Sequence, residues 1–184
     1  MELSQAIAER RSIRKYKNTP VEPEKIAAII EAARLCQSGT NTQPWRFMIL
    51  TGCQKEFVPD LMEDHYNSLD EEHRAASRSS LITAQAMHQA PVLILVFRVP
   101  AAEGKYVSDV VSIGAAIEHM CLTATDLGLG SLWIRQTRFI EDQLSVLLGY
   151  PDYQMISAVA IGYADEAPAP RPRKSTEEIV IKPR

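Results

Sequence analysis

The stretch Arg10-Arg11-Ser12-Ile13-Arg14-Lys15-Tyr16 concentrates four cations and a hydroxyl in seven residues. It stands in a chain of 184 residues whose formal net charge is −3 and whose sequence pI is about 5.8, so the positive charge is local and suits one anionic group on a ligand. A general nucleic-acid binder needs a basic face and a high domain pI, and this balance argues against that class. The loop Ser38-Gly39-Thr40-Asn41-Thr42-Gln43-Pro44-Trp45 adds hydroxyls and amides, and Arg171-Pro172-Arg173-Lys174 adds a second basic cluster. A basic run alone is often only a solvated face. In this company it points to a ligand, because guanidinium groups make planar, bidentate contacts with phosphate oxygens that serine hydroxyls and backbone N–H groups complete.

Working outward, residues 2–10 read as a short helix, with Leu3, Ala6, Ile7 and Arg10 at helical spacing. Pro23 suits the first position of a second helix, and Ile26, Ile29, Ile30 and Ala33 carry its apolar face toward an end near Gln37. Trp45 to Leu50 alternates as a strand, with Trp45, Phe47 and Ile49 on one face. The charged region 53–89 predicts helices around 54–64 and 71–88, and the continuous apolar run from Val92 to Phe97 predicts a strand covered on both faces. From Ser108 to Leu127 the helical pattern is apolar around most of its circumference, so it belongs inside the fold or at a subunit interface, with Gly128 ending it. A strand near 130–135, a helix at about 139–148 closed by Gly149 and a last core strand at 153–162 follow. Pro168, Pro170 and Pro172 then predict an extended arm over 163–184, tipped by Ile179-Val180-Ile181, which has strand composition. With 46% hydrophobic residues, this length supports one domain over residues 1–184.

Several chemistries lack their signatures. Gly128-Leu129-Gly130 follows a helix, precedes a strand and has Trp133 where a dinucleotide fingerprint needs its third glycine. No phosphate-binding P-loop and no G-x-S-x-G occurs, and His65, His73, His88 and His119 show no metalloprotease spacing, so no metal is expected. Cys36, Cys53 and Cys121 form no C-x-x-C pair and fit a reducing compartment. No secretory leader pattern is present and no apolar run approaches membrane-spanning length, so a soluble cytoplasmic protein without nucleic-acid or membrane partners is expected. The lack of a nucleophile or acid–base dyad fits an enzyme whose cofactor carries the reaction.

Four motifs in one order, R-R-S-x-R-x-Y at 10–16, S-x-x-N-x-Q-P-W at 38–45, Gly128 to Ile134, and R-K-x-x-E-E-I-V from Arg173 to Val180, resemble the nitroreductase family of FMN-dependent oxidoreductases. The resemblance covers nearly the whole chain. It implies an α+β fold with a mainly antiparallel central sheet flanked by helices, FMN at a homodimer interface, and a C-terminal arm that adds to the partner subunit. The implied activity is ping-pong hydride transfer from NAD(P)H through flavin N5 to a small-molecule acceptor such as a nitroaromatic or quinone. Arg10, Ser12, Arg171 and Arg173 would hold the FMN phosphate and ribityl chain, with Arg11 beside them either as a further holder or as a structural ion-pair partner. Arg14 would stand near N1 and the C2 carbonyl, where a reduced flavin carries negative charge that a fixed cation stabilises. Ser38 and Asn41 would reach the flavin from the second subunit, and the backbone at Ile134 and Arg135 would face N5 and O4. Gln43 and Trp45 fit a structural role, starting the strand, at least as well. The chain departs from the family where Arg135 and Gln136 replace the usual glycines, and where Gln37 and Ser175 replace prolines. Other flavin chemistry on the same fold (a flavin reductase or dehydrogenase) and a non-catalytic module for a phosphorylated ligand are the alternatives.

Overall fold

Apolar strands that cannot expose both faces to water pair into one antiparallel sheet and take helices on either side. In the computed structural model, which describes residues 1–99 and 104–183, the strands are β1 (Trp45–Thr51), β2 (Val92–Arg98), β3 (Gly130–Ile134) and β4 (Gln154–Gly162), in the spatial order β1-β2-β4-β3. All three neighbouring pairs are antiparallel. The helices are α1 (Leu3–Glu9), α2 (Pro23–Arg34), α3 (Phe57–Ser68), α4 (Glu71–Gln89), α5 (Tyr106–Asp126), α6 (Glu141–Leu147) and α7 (Thr176–Ile179). This is the α+β architecture with a central antiparallel sheet.

Every residue of β2 is buried, because the strand is covered on both faces. One face sends Leu93, Leu95 and Phe97 into a core with Leu132, Ile134, Val58 of α3 and Met87 of α4. The other sends Ile94 and Val96 against Ile29 of α2 and Ile113, Ile117 and Met120 of α5. Each such side chain contributes about 1.5–3 kcal/mol relative to exposure. Helix α5 is long and apolar enough to cross a membrane by composition alone, yet one side of it forms this second core. Its opposite side leaves Val107 and Val111 71% and 67% exposed, so the apolar circumference read from the sequence is only half accounted for within one chain. The helix ends in a left-handed Gly128 at φ +74, with Leu129 N–H returning to the Ala124 carbonyl at 2.8 Å, a Schellman closure.

Some elements differ from expectation. In β1, Trp45 and Phe47 do face the α2–α5 core, but Ile49 is 43% exposed and Leu50 joins the opposite core. The strand lies at the sheet edge, with no further strand beside it among the described residues. Helix α2 stops at Arg34 rather than near Gln37, and the helix expected from 54 begins as a 3₁₀ turn at Gly52–Lys55 before α3. Another 3₁₀ turn, Gln136–Phe139, precedes α6. The strand composition of Ile179-Val180-Ile181 does not give a strand. Ser175 and Glu178 form a capping box that starts α7 instead, satisfying two orphan N–H groups locally.

Candidate functional site

The basic run, called the arginine turn below, has no regular element of its own and crosses from β3 to the chain leaving β4 by two isolated bridges. Ile13 and Tyr16 are buried while Ser12, Arg14 and Lys15 face out. Ser12 bridges Ser131 of β3 in parallel, and Tyr16 bridges Ala164 in antiparallel sense. Ile13 N–H donates to the Ser131 carbonyl at 2.9 Å, and the buried Tyr16 hydroxyl donates to the Ile13 carbonyl at 2.8 Å and lies 3.3 Å from that of Ala160. The approach to β3 is close enough to require glycine, since a Cβ at Gly130 would sit 2.8 Å from Ile13 Cγ1. Lys17 N–H to the Tyr163 carbonyl and Asp165 N–H to the Lys15 carbonyl, both 2.9 Å, zip the turn to the chain leaving β4. Glu166 closes it: its Oε1 accepts N–H bonds from Arg14 and Lys15.

The four cations of the turn have different surroundings. Arg10 is half-buried with Nε 3.4 Å from Glu118 of α5, and Arg11 donates to the carbonyls of Ala8 and Arg10 at the end of α1. The Arg14 guanidinium donates, among the described residues, only to the Ser12 carbonyl at 3.3 Å. Among the described residues neither it nor Lys15 has a carboxylate within ion-pair distance.

The Ser38–Trp45 loop is held open by strained backbone. Thr40, Asn41 and Gln43 all have positive φ, at 52, 58 and 46, a left-handed conformation that costs a non-glycine residue on the order of 1–3 kcal/mol and clusters at functional sites. Ser38 Oγ accepts from Gln43 N–H at 3.0 Å, Gly39 N–H donates to Ser112 Oγ at 3.3 Å, and Thr42 Oγ1 is buried without a partner. Gly39 therefore rests on the early turns of α5, whereas Arg10 meets α5 at Glu118. At a rise of about 1.5 Å per residue, Ser112 and Glu118 are about 9 Å apart along the helix. Within one chain the loop and the turn occupy different stations.

At the far end of β3, Ile134 is buried and its carbonyl accepts from Ser157 Oγ. Arg135 is exposed and reaches toward Glu141 at 3.5 Å. Beside them Trp133 is 44% exposed and packs against Gly114 of α5, where a Cβ would lie 3.6 Å from its ring. The arm over residues 167–183 is exposed, and among the described residues Arg173 donates only to the carbonyls of Arg171 and Pro172. The structure thus brings Ser12 to β3, holds Arg10 and Arg11 at the foot of α1, sets the Ser38–Asn41 loop on the early turns of α5, and leaves Arg171 and Arg173 exposed on the arm.

Burial sets the ionisable groups under the turn. It pushes the Tyr16 hydroxyl well above its ordinary value and raises the Cys121 thiol from 9.0 to about 11, so both keep their protons at physiological pH. Glu166 and Trp133 are the site residues the sequence does not single out. Glu166 is one of many acidic residues until folding brings it to the turn, while Trp133 lies inside a recognisable motif and differs from a core tryptophan only in its exposure.

Known proteins share the sequence pattern and the fold of this chain. The family model described as "Nitroreductase family" matches residues 7–163. A candidate NADH dehydrogenase/NAD(P)H nitroreductase of Archaeoglobus fulgidus is 31% identical over 161 residues, covering 84% of this chain and 80% of the relative. Among solved structures, a candidate nitroreductase from Desulfovibrio desulfuricans in complex with FMN superposes with a TM-score of 0.82 at 26% identity, over 100% of this chain and 98% of the other. A BluB-like flavoprotein from Clostridium difficile gives 0.80 at 25% identity, with full coverage of both chains. A chain matched over its sheet, its arginine turn and its strained loop belongs to the nitroreductase family.

Proposed function

We propose that the protein is an FMN-dependent NAD(P)H oxidoreductase acting as a homodimer on small electron acceptors such as nitroaromatics or quinones. The observation that carries this reading is the arginine turn, whose backbone is fixed from several sides while the Arg14 guanidinium has no carboxylate partner among the described residues. A cation that the protein fixes but does not neutralise is suited to an anionic ligand group. The donor set fits FMN: guanidinium groups for a phosphate, the Ser12, Ser38 and Thr42 hydroxyls and the Asn41 amide for a ribityl chain and a pyrimidine edge. The FMN-bound relative supports the same choice.

When bound, FMN supplies hydride transfer at N5. The chain supplies position and charge. Arg10, Ser12, Arg171 and Arg173, with Arg11 near the same turn, would hold the phosphate and ribityl chain; Arg14 would supply positive potential to the reduced ring; and the backbone at Ile134 and Arg135 would offer the ring further hydrogen-bonding groups. Ser38 and Asn41 come from the second subunit, in keeping with their separate station on α5. The exposed Val107, Val111, Leu3 and Ile7 give that subunit an apolar face to cover. One pocket that admits donor and acceptor in turn produces ping-pong kinetics, and Arg135 beside its mouth favours anionic acceptors. The unpaired cysteines accord with a reducing cytoplasm.

The test is to reconstitute the purified protein with FMN and with FAD, remove unbound flavin, denature, and identify what was retained. FMN alone is expected. Retention of FAD, or of no flavin, contradicts the assignment.

A further inference from the structure

The Glu166 carboxylate meets the basic run at its backbone, and among the described residues it pairs with none of the run's four cations within ion-pair distance. Its Oε1 instead accepts the successive backbone N–H groups of Arg14 and Lys15, a small anion-holding concavity of the kind successive amides make. We propose that Glu166 is the positioning residue of the arginine turn: it fixes the backbone that carries Arg14 while leaving the Arg14 guanidinium free for the ligand. The consequence for FMN rests on the functional reading above; the lock itself does not.

A carboxylate is well suited to this task. A charge-assisted bond to N–H is about twice as strong as a neutral one, and two amides held by one oxygen fix the turn at the residue whose side chain matters. Satisfying these amides internally also removes them as ligand donors, so any phosphate at the turn is held by side chains rather than by this pair. Glu166 also sits between the zipped segment Tyr163–Asp165 and Pro168, where the arm begins to run free. The same contact therefore sets the direction in which Arg171 and Arg173 leave the core. Arg11 and Glu166 line one cavity of about 330 Å³ with Ile13, Gly130 and Pro168, which places the lock, the turn and the root of the arm around a single space.

The experiment compares the full-length protein with Glu166→Ala and Glu166→Gln, measuring amide hydrogen exchange without flavin and then FMN affinity. In Glu166→Ala the Arg14 and Lys15 amides should exchange at least about tenfold faster, the scale of one charge-assisted hydrogen bond. The Ile13 and Lys17 amides, held by Ser131 and Tyr163, should hardly change. FMN binding should weaken about tenfold in step, and Glu166→Gln, which keeps one accepting oxygen, should recover part of both losses. Unchanged exchange at Arg14 and Lys15 would overturn the lock, and faster exchange with undiminished FMN affinity would overturn its positioning role. A wild-type protein that binds no FMN would instead overturn the functional reading, and the exchange arm would still judge Glu166.

Discussion

Arg14 and Arg10 show how two arginines four residues apart take different work. Arg10 is tied to Glu118, whereas Arg14 is fixed through its backbone with its guanidinium unspent. Arg14→Ala should therefore slow reduction of the bound flavin by NAD(P)H about tenfold or more, with a smaller loss of FMN affinity, because the cation's contribution grows as negative charge develops. Rapid-mixing reduction beside a flavin titration checks this, and equal losses would make Arg14 a simple holder. Beneath the turn, Cys121 and Tyr16 are acids that burial makes weaker in the native state. Both groups hold their protons more tightly when folded, so the unfolded chain ionises first. Their stabilisation is complete below the unfolded thiol's value of 9.0 and is lost as pH rises toward about 11 and beyond. Urea unfolding midpoints should fall across that window, and less steeply in Cys121→Ala. A flat alkaline profile would contradict it. At this scale the sequence is legible for charge and blind to partnership: Arg14 stands out by its motif, but its hold on Glu166 spans 152 positions and exists only in the fold.

Strands and long helices were readable where burial dictates composition. The two-sided cover of β2 leaves no room for a polar residue before Arg98, and α5 shows its length in its apolar spacing. The 3₁₀ turns and the C-terminal helical turn were not, because local polar contacts decide them. The Ser175–Glu178 capping box outweighs the β-propensity of Ile179, Val180 and Ile181 and makes α7 a helical turn. The left-handed residues at 40, 41 and 43 carry no glycine to announce them. The joint between turn and strand gives a sharp test. Gly130→Ala would press a methyl into Ile13, whose side-chain atoms lie 2.8–3.0 Å from that position, at a cost of about 1–3 kcal/mol. It should lift the turn from β3, lowering thermal stability and FMN affinity together, as calorimetry and flavin titration would register. Full affinity in a destabilised variant would separate the turn from the site. At the other end of β3, Arg135→Gly should retain FMN and shift the acceptor preference from anionic toward neutral compounds, measured as kcat/KM on matched pairs. An unaltered preference would place Arg135 outside the pocket.

For the whole molecule, one chain presents an incomplete set: the turn and β3 in one place, the strained loop at another station of α5, and the arm's arginines exposed. The proposed homodimer would unite them in a two-fold arrangement, linking cofactor and assembly by mass action. Removing residues 171–184 should accordingly abolish tight FMN binding and weaken the dimer, which sedimentation across a dilution series with flavin absorbance would follow. A truncated protein that stays a yellow dimer at low concentration would reduce the arm to an accessory. The most direct test of the central claim is an anaerobic titration of the FMN-loaded protein with NADH and NADPH, watching the visible absorbance of the bound flavin, followed by addition of a nitroaromatic or quinone acceptor. The flavin absorbance should bleach with at least one of the two donors and return on adding acceptor, with no requirement that both ligands be present at once. Absorbance unmoved by either donor, or recovered only while donor and acceptor are bound together, would contradict an oxidoreductase that works through one shared pocket.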